Sequence, residues 1–236
     1  MDLEKIKSSK FFVTELLFGV FVLFTLLLKI VDVKAIGPED SKVGFAAING
    51  AFAKLLPFNA FWYKLAEVLG ILILLVVAVF AAIGLVQLVQ GRGLRAVDDR
   101  ILLLGAFYVI VFVLYILFDK VALNYRPVII DPAEGLEPSY PSSHTMLAAC
   151  VISTALMQVD VYLREEKYNK IAKIGLLAIG VLTVLARFLS GAHWFTDILG
   201  ALLISACLVS LYIVFLRESE SGSKARGRHE VKTGKH

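Results

Sequence analysis

The chain has 236 residues, of which 58% are hydrophobic and only 19% charged, with a mean hydropathy of +0.79. Soluble domains run closer to about 45–50% apolar and about 25% charged, so this composition excludes an ordinary water-soluble domain. The net charge of +4 selects no partner by itself, and Cys150 and Cys207, both in apolar blocks, exclude a disulfide framework or a Cys-rich metal site.

A helix needs about 20 mostly apolar residues to cross a bilayer, because lipid offers no partner to backbone N–H and C=O groups. Six such spans are predicted, over residues 11–31, 66–90, 101–120, 145–163, 173–192 and 197–216. Lys5, Lys7 and Lys10 look like a signal n-region. The apolar run behind them is too long, and no small-residue cleavage site follows, so the first span is predicted to be an uncleaved anchor. Glu15 and Lys29 lie near its ends, within snorkelling reach of the headgroups.

Between the first two spans, Phe45, Ile48, Phe52, Leu55 and Leu56 recur at helical spacing. They predict a short amphipathic helix that lies in the interface or packs on the bundle. The second span has a charge-free core from Val68 to Val86, and the sixth from Ile198 to Leu216. Asp160 and Arg187 interrupt the fourth and fifth, which marks these as spans packed inside the bundle. The expected fold is therefore a single all-α polytopic membrane bundle over residues 1–216. A Ser-, Gly- and charge-rich tail, residues 217–236, is predicted to be disordered and to touch anionic lipid.

Basic residues orient such a bundle. With the N-terminus inside, most of the 24 Lys and Arg fall on the cytoplasmic side. These are Lys5, Lys7 and Lys10, then Arg92, Arg95 and Arg100, then Arg164, Lys167, Lys170 and Lys173, and the tail. An even number of spans then leaves both termini cytoplasmic.

Three clusters collect on the opposite side. The first runs from Asp119 through Lys120 to Arg126-Pro127, where Arg126 offers a planar fork of donors suited to phosphate oxygens. The second is Tyr140-Pro141-Ser142-Ser143-His144 at the start of the fourth span, an N-cap signal whose free amides suit an anion. The third runs from Arg187 to Asp197. Asp197 stands four residues after His193, so a helical turn would bring its carboxylate to the imidazole. Asp131, Glu134 and Glu137 in the intervening loop are read as solvated.

In this order and on one membrane face, the three clusters resemble the type-2 phosphatidic-acid phosphatase superfamily, which includes vanadium haloperoxidases and bacterial acid phosphatases. Its pattern is K-x6-R-P, then P-S-G-H, then S-R-x5-H-x3-D. Residues 119–197 carry the likeness, and Ser190 to Ala201, SGAHWFTDILGA, looks especially like bacterial members. The resemblance implies that His193 is a nucleophile forming a phosphohistidine, that Asp197 orients it, and that His144 protonates the leaving oxygen. It implies that Arg126 and Arg187 clamp the phosphoryl oxygens with Ser142 and amides near Ser143, and that neither metal nor cofactor is needed. Three positions depart from the pattern: Asp119 stands where the family has Lys, Ser143 where it has Gly, and Ala186 where it has Ser. Lys120, one place late, is the candidate replacement for the displaced Lys.

The expected activity is removal of a phosphate or diphosphate from a lipid at the outer face of the plasma membrane. Undecaprenyl diphosphate, phosphatidic acid, phosphatidylglycerophosphate and a lipid A phosphate all present the required terminal group. The alternatives are a lipid phosphotransferase and a catalytically weak relative that binds or flips lipid phosphates. The expected partners are the substrate and membrane lipid, with no nucleic acid; the sequence assigns no oligomeric state.

Overall fold

A computed structural model describes the backbone of residues 3–233 and the side chains of residues 10–221. Its long helices are α1 (Leu3–Leu27), α3 (Ala60–Gln90), α4 (Asp99–Lys120), α5 (Ser143–Tyr162), α6 (Glu166–Leu189) and α7 (Phe195–Thr233), with a short α2 (Ala46–Leu55) after the first. All six long helices are apolar enough to cross a membrane. Large apolar side chains such as Leu23, Val79, Phe112 and Ile174 stand exposed on them, as a lipid-facing surface requires. Helix starts follow local chemistry: Asn59 accepts the N–H groups of Phe61 and Trp62, and Asp98 accepts that of Arg100.

α5 is the most enclosed span, packed between α3, α6 and α7, as expected of a helix weakened by Asp160. α6, expected to be enclosed for its Arg187, instead exposes Ile174, Leu177 and Leu182 and buries Arg187 only in its last turn. Around it sit buried Leu104, Phe107, Met146, Ile204 and Tyr212 in one cluster, and Ile73, Ala148, Val151 and Ile152 in another. The even span count puts the start of α1 and the end of α7 at one end of the bundle. The first turns of α3, α5 and α7 and the last turns of α4 and α6 gather at the other.

The segment before α3 builds a cap over that second end. A two-residue antiparallel pair, Lys34–Ala35 with Lys42–Val43, precedes α2, a feature too short to leave a sequence signal. α2 docks on the bundle through Asn49, which bonds Thr196 through its amide, and through Phe52, whose ring stacks on Phe195 at 4.5 Å. Ile48 and Leu55 face outward.

Two expectations need correction. The charge-poor stretches underestimate α3 and α6 at their starts, because Asn59 caps one early and Glu165–Glu166 open the other. The helix after Leu216 does not end there: α7 continues to Thr233. Its turns beyond the apolar block are tied down, with Glu218 at 3.6 Å from Lys10 and Glu220 at 2.6 Å from Arg100. The basic residues from Lys224 onward lie outside the described side chains.

Candidate active site

His193 lies in the turn between α6 and α7. That turn depends on Gly191, which has φ +63°, where a Cβ would come within 2.5 Å of the Leu56 carbonyl oxygen. The imidazole is nearly buried, and its Nδ1–H donates to the Ser139 carbonyl at 3.1 Å. A neutral ring with its proton on Nδ1 keeps the Nε2 lone pair free for attack. Burial, followed by the positive charges of Arg126, Arg187 and His144, holds this imidazole well below the ordinary value of 6.5. It is therefore neutral at physiological pH.

Asp197 approaches as the spacing predicts but by a different route. Because α7 begins at Phe195, His193 and Asp197 do not share a helix. The carboxylate Oδ2 accepts the Trp194 N–H at 2.9 Å, closing the turn, and stands 3.7 Å from His193 Nδ1. The Ser139 carbonyl is thus the direct partner of the ring, and the Asp197 carboxyl stands beside it. Ser139 was missed because a backbone acceptor has no residue signature.

Arg187 occupies the last turn of α6 and is 1% exposed. Its guanidinium lies over the Tyr63 ring, 4.9 Å from the centroid. Nη2 donates to His144 Nδ1 at 2.7 Å and also to the Glu67 carboxylate, while Nε and Nη1 have no partner among the described residues. Arg126 stands in the loop after α4, tied by a backbone bond to Glu137 and by an isolated bridge beside it, Tyr125 with Pro138. Its Nε is 3.5 Å from a Glu137 carboxylate oxygen, and neither Nε nor Nη1 makes a hydrogen bond. Two guanidinium groups, that of Arg187 buried and that of Arg126 half-buried, with open donors beside two imidazoles are an arrangement suited to a multiply charged oxyanion.

His144 sits in the first turn of α5, where the amides of Ser143, His144 and Thr145 have no helical acceptor. Ser142 is fully buried at the N-cap of α5. Its N–H donates to the Asp197 carbonyl and its hydroxyl to Thr145, so it joins α5 to α7. Ser143, half-buried, lines the adjoining cavity. Lys120 is not brought to the site: it lies exposed at the end of α4, 3.3 Å from Asp119. Among the described residues, no group of three or more His, Cys, Asp or Glu is arranged to hold a metal ion. Glu137 faces Arg126, whereas Asp131 caps its own loop turn.

From His144 and Glu67 a cavity of about 810 Å³ runs between α3, α4 and α5. Its lining on α3 extends from Glu67 to Leu88, roughly 31 Å at 1.5 Å per residue, close to the thickness of a bilayer core. The lining is overwhelmingly apolar, and exposed Ile71, Leu74, Val109 and Phe112 mark its opening on the lipid-facing surface.

A sequence profile of the PAP2 superfamily matches residues 101–220. Among solved structures, the chain is similar to the first transmembrane PAP2-type phosphatidylglycerolphosphate phosphatase from Bacillus subtilis. The TM-score is 0.56 at 21% identity, over 88% of this chain and 97% of the other. At that identity the likeness is one of fold. No curated protein gives a significant match.

Proposed function

Because the chain belongs to the PAP2 superfamily, we propose that it is a membrane lipid phosphatase working through a phosphohistidine. The observation that carries this reading is the set of open guanidinium donors on Arg126 and Arg187 beside the neutral His193. In the first step Nε2 of His193 attacks phosphorus, the bond from phosphorus to the lipid oxygen breaks, and His144 protonates that oxygen. In the second, His144 takes a proton from water as the water oxygen attacks phosphorus, and the N–P bond breaks to release inorganic phosphate. The two guanidinium groups and the α5 amides balance the charge on the equatorial oxygens, so catalysis is chiefly positioning and fixed positive charge.

The apolar cavity beginning at His144 suits a lipid tail lying alongside α3 and α4 while its headgroup is processed. We read the termini as cytoplasmic and the site as facing the outer side of the plasma membrane, on the distribution of basic residues. The similar Bacillus subtilis protein is a phosphatidylglycerolphosphate phosphatase, so a phosphorylated glycerolipid is placed among the proposed substrates. The test is phosphate release by purified protein from vesicles holding phosphatidylglycerophosphate, phosphatidic acid or undecaprenyl diphosphate. Release from at least one, abolished in His193→Ala, is expected. Transfer to an added lipid alcohol in place of release would make the enzyme a phosphotransferase. Binding without either reaction would make it a lipid-phosphate binder.

A further inference from the structure

One face of α3 touches both halves of the site, although α3 precedes the segment matched by the family profile. Tyr63, Glu67 and Gly70 follow one another at helical spacing, four and then three residues apart. Tyr63 supports the Arg187 guanidinium. Gly70 passes so close to His144 that a Cβ there would lie 2.9 Å from its Cδ2. Glu67 stands between them, with Oε1 bonded to Arg187 Nη2 and 3.5 Å from His144 Nε2.

The chemistry of this arrangement is asymmetric. Arg187 Nη2 donates to Nδ1 of His144, so the neutral ring carries its proton on Nε2, the nitrogen turned to Glu67. An acid histidine has to bear a positive charge before it gives its proton away. Here it must do so 2.7 Å from a guanidinium, with Arg126 near the same site. Among the described residues Glu67 is the carboxylate in contact with both groups. Glu137 faces Arg126, and Asp197 faces His193. An ionisable side chain inside a membrane span is expensive unless it serves such a purpose.

We propose that Glu67 is the positioning residue of the acid step, aligning His144 and supplying the negative charge that lets it hold a proton beside Arg187. Glu67 exchanges no proton and touches no reacting atom. With Nε2–H held toward Glu67, the proton transferred is the one on Nδ1, from which the Arg187 Nη2 bond is released when the ring is charged. His144 gives that proton to the lipid oxygen as the P–O bond breaks and takes back the Arg187 bond as a neutral ring. It regains a proton on Nδ1 from the water that attacks the phosphohistidine. Arg187 divides its donors, with Nη2 toward Glu67 and His144 while Nε and Nη1 stay open for phosphoryl oxygens.

This rests on His144 being the acid of a phosphatase, and the experiment separates the two claims. Glu67→Gln is compared with wild type on a lipid phosphate, whose alkoxide is a poor leaving group, and on nitrophenyl phosphate, whose phenolate needs little acid help. General acid catalysis contributes roughly 10²–10⁴-fold. The expected result is a loss of ~10²-fold in kcat on the lipid with a much smaller loss in the rate of the pre-steady-state burst of phenolate, which reports the first step alone, and little further loss when combined with His144→Ala. Equal losses on both substrates, additive with His144→Ala, would overturn the proposal and leave Glu67 a counter-ion for Arg187. Should Glu67→Gln fold poorly, Glu67→Ala is assayed with added formate, which should restore lipid hydrolysis in that variant but not in His144→Ala. Failure of wild type on every phosphate would sink the phosphatase reading alone. Nitrogen NMR of histidine-labelled protein then still decides, since Glu67→Gln must move the His144 ring resonances and spare those of His193.

Discussion

At the scale of single residues, the two histidines differ in what surrounds them. His193 is buried, bonded to a backbone carbonyl and kept neutral; His144 shares a guanidinium and a carboxylate at the mouth of the cavity. His193→Ala should therefore abolish turnover and any phosphoenzyme trapped by rapid acid quench. His144→Ala should still form phosphoenzyme from nitrophenyl phosphate. The reverse pattern would exchange their roles. Asp197→Asn should slow turnover on the order of 10²-fold, less than a histidine's sole orienting carboxylate would, because Ser139 continues to hold the ring. The pH dependence follows from the lowered value of His193. The proposed nucleophile is neutral above it, so the acid limb of kcat/KM should fall below pH 6.5. The same shift acts on stability. Below pH 6.5 the unfolded chain takes up a proton that the folded one refuses, so the free energy of unfolding drops as pH falls through that range. In the proposed mechanism arginine and histidine carry the phosphoryl charge, so a chelator should leave phosphate release intact; activity lost to chelator and returned by magnesium would relocate the chemistry.

At the scale of helices, the cavity between α3, α4 and α5 makes a separate prediction. Gly105 lines it about six residues, or roughly 9 Å, from the start of α4, far from the histidines, and a Cβ there meets nothing within 4 Å. Gly105→Trp should fold normally and block the remote half of the cavity. Hydrolysis of a long polyprenyl phosphate should then fall about tenfold or more, while a diacyl phosphate, whose tails end near the midplane, keeps its rate. Equal rates for both lipids, with and without the tryptophan, would place the tail elsewhere. Much of this architecture was legible in the sequence. Unbroken apolar runs dictate spans, since lipid permits little else, and Arg126, His144, Arg187, His193 and Asp197 stood out as polar groups at span ends. Glu67 was passed over because the charge-free core of its helix begins one residue later, at Val68, and its partners lie in helices far along the chain. Lys120 illustrates the opposite error. Proximity in sequence suggested a role, but one residue of displacement turns a side chain about 100° around a helix, and this one points away. The continuation of α7 was hidden because its first turns past Leu216 meet partners, Lys10 and Arg100, that lie far away in the chain.

For the molecule as a whole, orientation is testable without any substrate. A cysteine introduced in the 131–139 loop should react with an impermeant thiol reagent on intact cells, and one in 165–170 should not. Inverted labelling would turn the site toward the cytoplasm. A last consequence comes from the cavity opening on the flank of the bundle instead of the cap. The enzyme meets its substrate as a neighbour diffusing in two dimensions, so the quantity that saturates it is the substrate's mole fraction in the bilayer. Adding inert lipid to vesicles at fixed total substrate should slow the reaction, though nothing dissolved in the water has changed. The two products also part company: inorganic phosphate escapes into solution, whereas the stripped lipid stays in the sheet and competes for the same flank as it accumulates.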